Sequence, residues 1–131
     1  AIVFFVGLVR DFFESESETE PQSVDYLELE HYPDMTEALC AEIIANAKSR
    51  FEVSDIHIVH RVGKLFPKDQ IVFIGVAGAH RQESFLASQY VMDYLKTSAT
   101  IWKKEVSDQG HQWLGVKDKD KVAFQQWQTD G

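Results

Sequence analysis

The stretch that decides the fold runs IVFIGVAGA over residues 71–79 and continues through His80 and Arg81 into QESFLASQYVMDYLKT over residues 82–97. Its first half is short and almost wholly apolar, which is typical of a central strand covered on both faces. Its second half has apolar residues at helical spacing and therefore predicts a helix. A strand that leads directly into a helix of this length indicates a domain in which helices cover a sheet.

The segments before this stretch extend the same pattern. Residues 2–9, IVFFVGLV, predict a buried strand, and the alternating residues 24–32 and 55–62 predict two further strands. Residues 35–51 predict a helix, which Asp34 is placed to cap. The sequence therefore predicts an α+β fold, a two-layer domain with helices packed on a mixed sheet.

The remaining segments are more polar. Residues 11–23, DFFESESETEPQS, predict an acidic mobile loop, and residues 118–131 predict a polar, partly frayed C-terminal tail. Residues 97–105, TSATIWKKE, are interpreted as a connection, and residues 106–116 as a short hairpin. The chain starts at Ala1, without methionine, on an apolar segment. We therefore expect a single domain over residues 1–131 that lacks its N-terminal segment.

Composition narrows the class of protein. A chain of 131 residues suits one domain, and 44% hydrophobic residues suffice for a buried core. No apolar run approaches the roughly 20 residues that span a bilayer, and no secretory signal is visible. The single cysteine, Cys40, lies near the apolar stripe of a predicted helix, so we interpret it as a small buried thiol. Its lack of a disulfide partner fits a reducing compartment, and we expect a cytoplasmic protein.

Charge is unevenly distributed along the chain. The net charge is -8, yet residues 11–47 hold eleven of the 21 acids and no Lys or Arg. The acidic average disfavours nucleic-acid binding. The remainder of the chain is basic on balance, which leaves room for a local anion site.

The common catalytic motifs are absent from the sequence. It contains no phosphate-binding or dinucleotide-binding glycine motif, no HExxH and no paired CxxC. His57 and His60 lie three apart on a predicted strand, so they point to opposite faces and make a poor metal pair. We predict structural or surface roles for both, no metal site and no cofactor.

Basic residues at the ends of the predicted elements are the remaining candidates for chemistry. They are Arg10, His80, Arg81, Lys96, Lys103 and Lys104. Arg and His beside a helix N-terminus suit an anion, because free backbone N–H groups and positive charge point the same way. Lys96 and Lys103 could share one face, and crowding would favour a neutral amine on one of them. The alternative on spacing alone is a solvated helix C-terminus, where lysines are common.

Several separate blocks of this sequence resemble one known family. VAGAHRQESFLASQYVMDYLKTSATIWKKE (76–105) resembles the signature region of the large subunit of molybdopterin synthase. FVGLVR (5–10), LELEHYPDM (27–35) and HIVHRVGKL (57–65) resemble further blocks of that family in the same order. The resemblance covers most of residues 3–116, and its specificity comes from the number of blocks that agree.

The resemblance implies a fold, an activity and partners. The family fold is an α/β hammerhead with an additional small β subdomain. These enzymes transfer sulfur from the C-terminal Gly-Gly thiocarboxylate of a ubiquitin-like small subunit to cyclic pyranopterin monophosphate, forming the dithiolene of molybdopterin. Two large subunits form the central dimer of a heterotetramer, and the transfer requires no metal or cofactor.

The resemblance also implies roles for single residues. Lys96 and Lys103 match catalytic lysines, and Phe5 and Met92 match positions that line the pocket. Positions that bind the anionic substrate match Arg10, His80, Arg81 and Lys117, the last of which can reach the neighbouring protomer's site in the family. Thr100 stands where the family usually has proline, so the connection there can bend differently. The alternative is a non-catalytic module that docks a ubiquitin-like protein or a phosphate ligand, and the intact basic residues argue against it.

Overall fold

In this computed structural model the described residues are 1–10, 12–13, 22–23, 25–97, 101–107, 110–115 and 117–128. Their helices and strands, in chain order, are β1 (Ile2–Leu8), β2 (Phe12–Phe13), β3 (Gln22–Ser23), β4 (Tyr26–His31), α1 (Pro33–Arg50), β5 (Val53–His60), β6 (Gly63–Leu65), β7 (Gln70–Gly78), α2 (Arg81–Lys96), β8 (Ile101–Ser107), β9 (Gly110–Leu114) and α3 (Asp118–Gln125).

The first sheet is three-stranded and antiparallel, in the order β1-β7-β5. The run at 71–79 is its central strand, as predicted, but the described helices pack on one of its faces rather than on both. Its side chains Val72, Ile74 and Val76 point toward the helices and are almost fully buried. They form the main core with residues of α1 and α2 and with Trp127. The predicted α+β class is confirmed.

The other face of this sheet differs from the prediction. Phe4 on β1 packs on Phe73 of β7, with ring centroids 5.6 Å apart, yet Phe4 stays 69% exposed and Ile2 stays 68% exposed. The strand over residues 2–9 is therefore real, but the prediction that it is buried is wrong. β1 lies at the sheet edge, and the helices cover the opposite face.

The second sheet is the small β subdomain, in the order β6-β4-β8-β9, again antiparallel. Its own core consists of Val9, Leu27, Leu29 and Leu65. The interpretation of residues 97–105 as a connection is wrong for its second half, since β8 begins at Ile101. That correction matters because it places Lys103 on a strand between two neighbours.

The first helix begins one residue earlier than the predicted cap. Tyr32 is the N-cap and Pro33 occupies the first turn, where a missing N–H is tolerated, so Asp34 does not cap the helix. Burial raises the pKa of the Cys40 thiol, which agrees with an inert cysteine.

The C-terminal segment also departs from expectation. Residues 118–125 form a helix, α3, and Trp127 just beyond it is only 8% exposed. Most of the acidic segment 11–23 lies outside the described residues, apart from the pairing of Phe12–Phe13 with Gln22–Ser23. No helix in the described part of the chain has the length and apolarity needed to cross a membrane.

Candidate functional site

The candidate site begins on β8, where two consecutive lysines point to opposite faces. Lys103 pairs across the sheet with Leu29 on one side and Leu114 on the other. Directly opposed residues share a face, so the Lys103 side chain lies among the apolar residues of the second core. Lys104 pairs with Glu28 and Trp113 on the outer face.

The environment of Lys103 disfavours its charge. Burial lowers its pKa most, and the charge of Lys96 with its hydrogen-bond contact lowers it further, to about 7. A hydrogen bond between two lysine amines requires one of them to be neutral, because an ammonium has donors but no acceptor. Lys103 is therefore poised to exist in both protonation states near neutral pH.

Three other elements bring positive charge to the same place. Lys96 is the last residue of α2, Lys117 is the N-cap of α3, and Arg10 follows β1. Burial lowers the pKa of Lys117, and the charges of Arg10, Lys119 and Lys96 lower it further. We call Arg10, Lys96, Lys103 and Lys117 the lysine site. Lys117 therefore contributes to the lysine site of its own chain.

The chain segment that carries Arg10 is held by a turn. The backbone N–H of Val9 donates to the carbonyl of Asp69 at 2.9 Å, and the N–H of Lys68 donates to the carbonyl of Val9 at 2.8 Å. The turn itself is closed by the Phe66 N–H, which donates to Asp69 Oδ2 at 2.9 Å. Arg10 thus leaves the first sheet at a fixed point beside the second.

His60 belongs to the surroundings of the lysine site, although the sequence predicted only a structural or surface role. It ends β5 on the face turned toward the helices, opposite Val72. Its Nδ1 lies 2.8 Å from the carbonyl oxygen of Arg61, so Nδ1 donates there and Nε2 keeps its lone pair. Burial lowers the pKa of His60, the hydrogen bond to Arg61 raises it, and the charges of Lys103 and Lys96 lower it further. The lowered pKa favours the neutral imidazole, which can accept a hydrogen bond beside Lys96 and Lys103.

A carboxylate also borders the site. Glu105 lies two residues after Lys103 on β8, and therefore on the same face of the sheet. Burial raises its pKa, while the charge of Lys117 opposes the rise. No signal in the sequence separated Glu105 from the other acids, because the strand that orients it was not predicted.

The pair His80 and Arg81 lies away from the lysine site. His80 is the N-cap of α2 and Arg81 its first residue, whereas Lys96 is its last. With a rise of about 1.5 Å per residue, the two ends of α2 are about 22 Å apart. Within one chain the structure therefore does not bring the predicted anion-binding pair to the lysines.

The two predicted pocket residues lie on the helix-facing side of the first sheet. Phe5 pairs with the buried Ile74 and is 39% exposed. Met92, on α2, is half-buried against the main core. Their positions suit an apolar wall, although Met92 also packs against the main core.

The lysine site can bind anions and exchange protons. Arg10, Lys96 and Lys117 attract phosphate or carboxylate groups, and Lys103, an amine with a pKa near 7, can accept or donate a proton at neutral pH. Among the residues that the structure describes, no group of three His, Cys, Asp or Glu side chains is arranged to hold a metal ion.

Comparison with known sequences gives one consistent result. The sequence model of the MoaE protein family matches residues 1–98. The molybdopterin synthase catalytic subunit of Yersinia pestis is 46% identical over 127 residues, which cover 97% of this chain and 80% of that protein.

Solved structures give the same result for the fold. The MoaE protein from Burkholderia ambifaria matches with a TM-score of 0.77 and 42% identity, covering 98% of this chain and 80% of that one. The molybdopterin synthase of Staphylococcus aureus matches with a TM-score of 0.77 and 33% identity, covering 88% of this chain and 80% of that one.

Proposed function

The chain belongs to the MoaE family of molybdopterin synthase catalytic subunits, and we propose that its lysine site is where sulfur is transferred. The reaction is transfer of sulfur from the C-terminal thiocarboxylate of a ubiquitin-like small subunit to cyclic pyranopterin monophosphate, which forms the molybdopterin dithiolene. The partners are that small subunit and a second copy of this chain.

One observation carries the assignment of the site. Lys103 is held among Leu29 and Leu114, touches Lys96, and has a pKa lowered to about 7. A lysine on a solvated helix end would have no reason to be neutral at pH 7, so the environment favours catalysis over the alternative of dipole-placed surface lysines.

The chemistry of the reaction suits this arrangement. Attack by a thiocarboxylate develops negative charge on oxygen, which a protonated amine stabilises, and it needs proton transfers, which a neutral amine accepts. Lys103, whose pKa is lowered to about 7, can take either role beside Lys96. We assign proton transfer to Lys103 and charge stabilisation with acid–base work to Lys96.

The remaining cations suit the anionic groups of the substrates. Arg10 and Lys117 lie at the edge of the lysine pair and are exposed, where a cyclic phosphate or the small subunit's tail can approach. His80 and Arg81, about 22 Å from Lys96 along α2, can contact the same small substrate only if a second copy of the chain supplies them. This is the role we propose for them in the dimer.

We further infer that the enzyme works in the cytoplasm. The support is chemical: a thiocarboxylate donor and the unpaired Cys40 both suit a reducing compartment.

Reconstitution tests the proposed function. The protein is mixed with thiocarboxylated small subunit and cyclic pyranopterin monophosphate, and dithiolene product is measured by mass, with Lys96→Ala in parallel. We expect product from the unchanged protein and little from the variant. Near-normal turnover by Lys96→Ala would remove the assignment of that residue. Binding of the small subunit without product from either protein would favour a docking module.

A further inference from the structure

The helix α3 has an unusual residue on its packing face. Asp120, Ala123, Phe124 and Trp127 recur at the spacing of one helical face. Ala123 and Phe124 are half-buried, and Trp127 is 8% exposed. Asp120 is half-buried as well, whereas its charged neighbours on the first turns of α3 are exposed. An acid therefore occupies a position where an apolar side chain is expected.

The far end of this segment is fixed to α1 and α2 by three residues that we call the latch: Arg50, Asp93 and Trp127. Trp127 Nε1 donates to Asp93 Oδ2 at 2.8 Å, and Arg50 Nη1 donates to the Trp127 carbonyl at 2.9 Å. The Arg50 guanidinium also lies 5.2 Å from the centre of the Trp127 ring. Phe124 adds an edge contact with Tyr94 on α2, at 4.7 Å between ring centroids. These contacts set where α3 lies.

The near end of α3 faces the lysine site. Lys96 on α2, the N-cap Lys117 and Asp120 on α3 act on Lys103. Lys103 in turn acts on His60, at the end of β5. Asp120 is the anion in this set, and its charge raises the pKa of both Lys103 and Lys117 against burial and the surrounding cations. Glu105 on β8 adds a second carboxyl, whose pKa burial raises and Lys117 lowers.

We propose that Asp120 is a positioning residue of the lysine site, and that the latch holds it there so that Lys103 and Lys117 keep enough positive charge to bind anionic groups. The proposal deepens the proposed function and rests on it for its purpose. The placement of an acid on the packing face of a latched helix is its structural basis.

The test compares two acids of the same short helix. Asp120→Asn removes the charge that faces the lysines, and Asp118→Asn removes an exposed charge from the same first turn, with similar effects on net charge and helix dipole. The titration midpoint of Lys103 is measured by NMR in the whole chain with labelled lysine, its signal assigned by its loss in Lys103→Arg. We expect the midpoint to fall by roughly half a unit to one unit in Asp120→Asn and to change little in Asp118→Asn. Equal shifts in the two variants, or none, would overturn the proposal.

A second pair of variants tests the latch. Trp127→Phe keeps a ring but loses the N–H that bonds Asp93. If the latch positions Asp120, the effect of Asp120→Asn on the Lys103 midpoint shrinks in the Trp127→Phe background. The same shift in both backgrounds would show that the latch does not position Asp120.

These titrations need neither substrate nor small subunit, so they separate the two proposals. If Asp120→Asn shifts the Lys103 midpoint but the protein makes no dithiolene, the positioning role of Asp120 stands and the proposed reaction is wrong. If the protein makes dithiolene but the midpoint does not move, the proposed reaction stands and the positioning role of Asp120 is wrong.

Discussion

The inner and outer faces of the second sheet give two neighbouring lysines opposite environments. On the inner face, Lys103 stands between Leu29 and Leu114, and burial with the contact of Lys96 lowers its pKa to about 7. On the outer face, Lys104 lies 3.6 Å from Glu28 Oε2 and 5.5 Å from the centre of the Trp113 ring. Although Lys103 and Lys104 are adjacent on one strand, the Lys103 amine is desolvated near other basic residues, whereas the Lys104 amine meets a carboxylate and an aromatic ring.

The difference follows from the pleat of the strand. Successive side chains point to opposite faces, so a sheet that covers a small apolar core takes every second residue of β8 into that core. Residue type alone does not distinguish Lys103 from Lys104. A change at Lys104 is a control for the same change at Lys103, since it alters the same strand and removes the same type of residue.

The largest expected effect is on turnover. Lys103→Ala removes the amine to which we assign proton transfer, and we expect turnover in the reconstituted system to fall by about 10²- to 10⁴-fold. Lys104→Ala should stay within about twofold, because its side chain faces away from the site. Similar losses in the two variants would mean that the two faces are not functionally distinct.

The next effect is on stability, because a buried amine near other cations disfavours folding. The pKa of Lys103 lies near 7 in the folded chain and near 10.5 when unfolded. Between these pH values the unfolded chain therefore binds more protons than the folded chain does. The free-energy cost of burying the Lys103 amine is complete below pH 7 and is relieved as the pH rises toward 10.5. We expect Lys103→Met to raise the free energy of unfolding by about 2 kcal/mol at pH 6 and by less at pH 9. Urea denaturation at both pH values measures this, and a larger gain at pH 9 would contradict it.

The smallest effect belongs to the outer face. Glu28→Gln breaks a partly exposed ion pair with Lys104 at 3.6 Å. Such pairs contribute little, so we expect a loss of less than about 0.5 kcal/mol in the free energy of unfolding and unchanged turnover. A loss above about 1 kcal/mol would show that the outer face matters more to the fold than its geometry indicates.

The parts of the fold that could be predicted from sequence are those whose local pattern agrees with their burial. The run at 71–79 and the periodic segment at 82–97 became β7 and α2, because apolar residues there do face the core. Position and charge singled out Lys96 and Lys103, to which the resemblance to the family assigns catalytic roles, and the structure brings the two into contact.

The parts that were missed carry polar residues at packing positions. β8 places Lys103 and Glu105 on its inner face, so its alternation is hidden and the sequence predicts a connection instead. α3 places Asp120 on its packing face, so it looked like a polar tail. His60 was missed because its neighbours are distant in sequence. In each case the misleading residue belongs to the lysine site or its surroundings, as expected if the proposed function overrides local preference there.

The titration midpoint of Lys103 tests the central claim most directly. It can be followed by NMR in the free protein, with Lys96→Met in parallel to remove the neighbouring charge. We predict a midpoint near 7 in the unchanged protein and a higher midpoint in Lys96→Met, since the charge of Lys96 is the second cause of the lowering after burial. A midpoint near the ordinary value of 10.5 would contradict the account, because Lys103 would then be a solvated cation like any surface lysine.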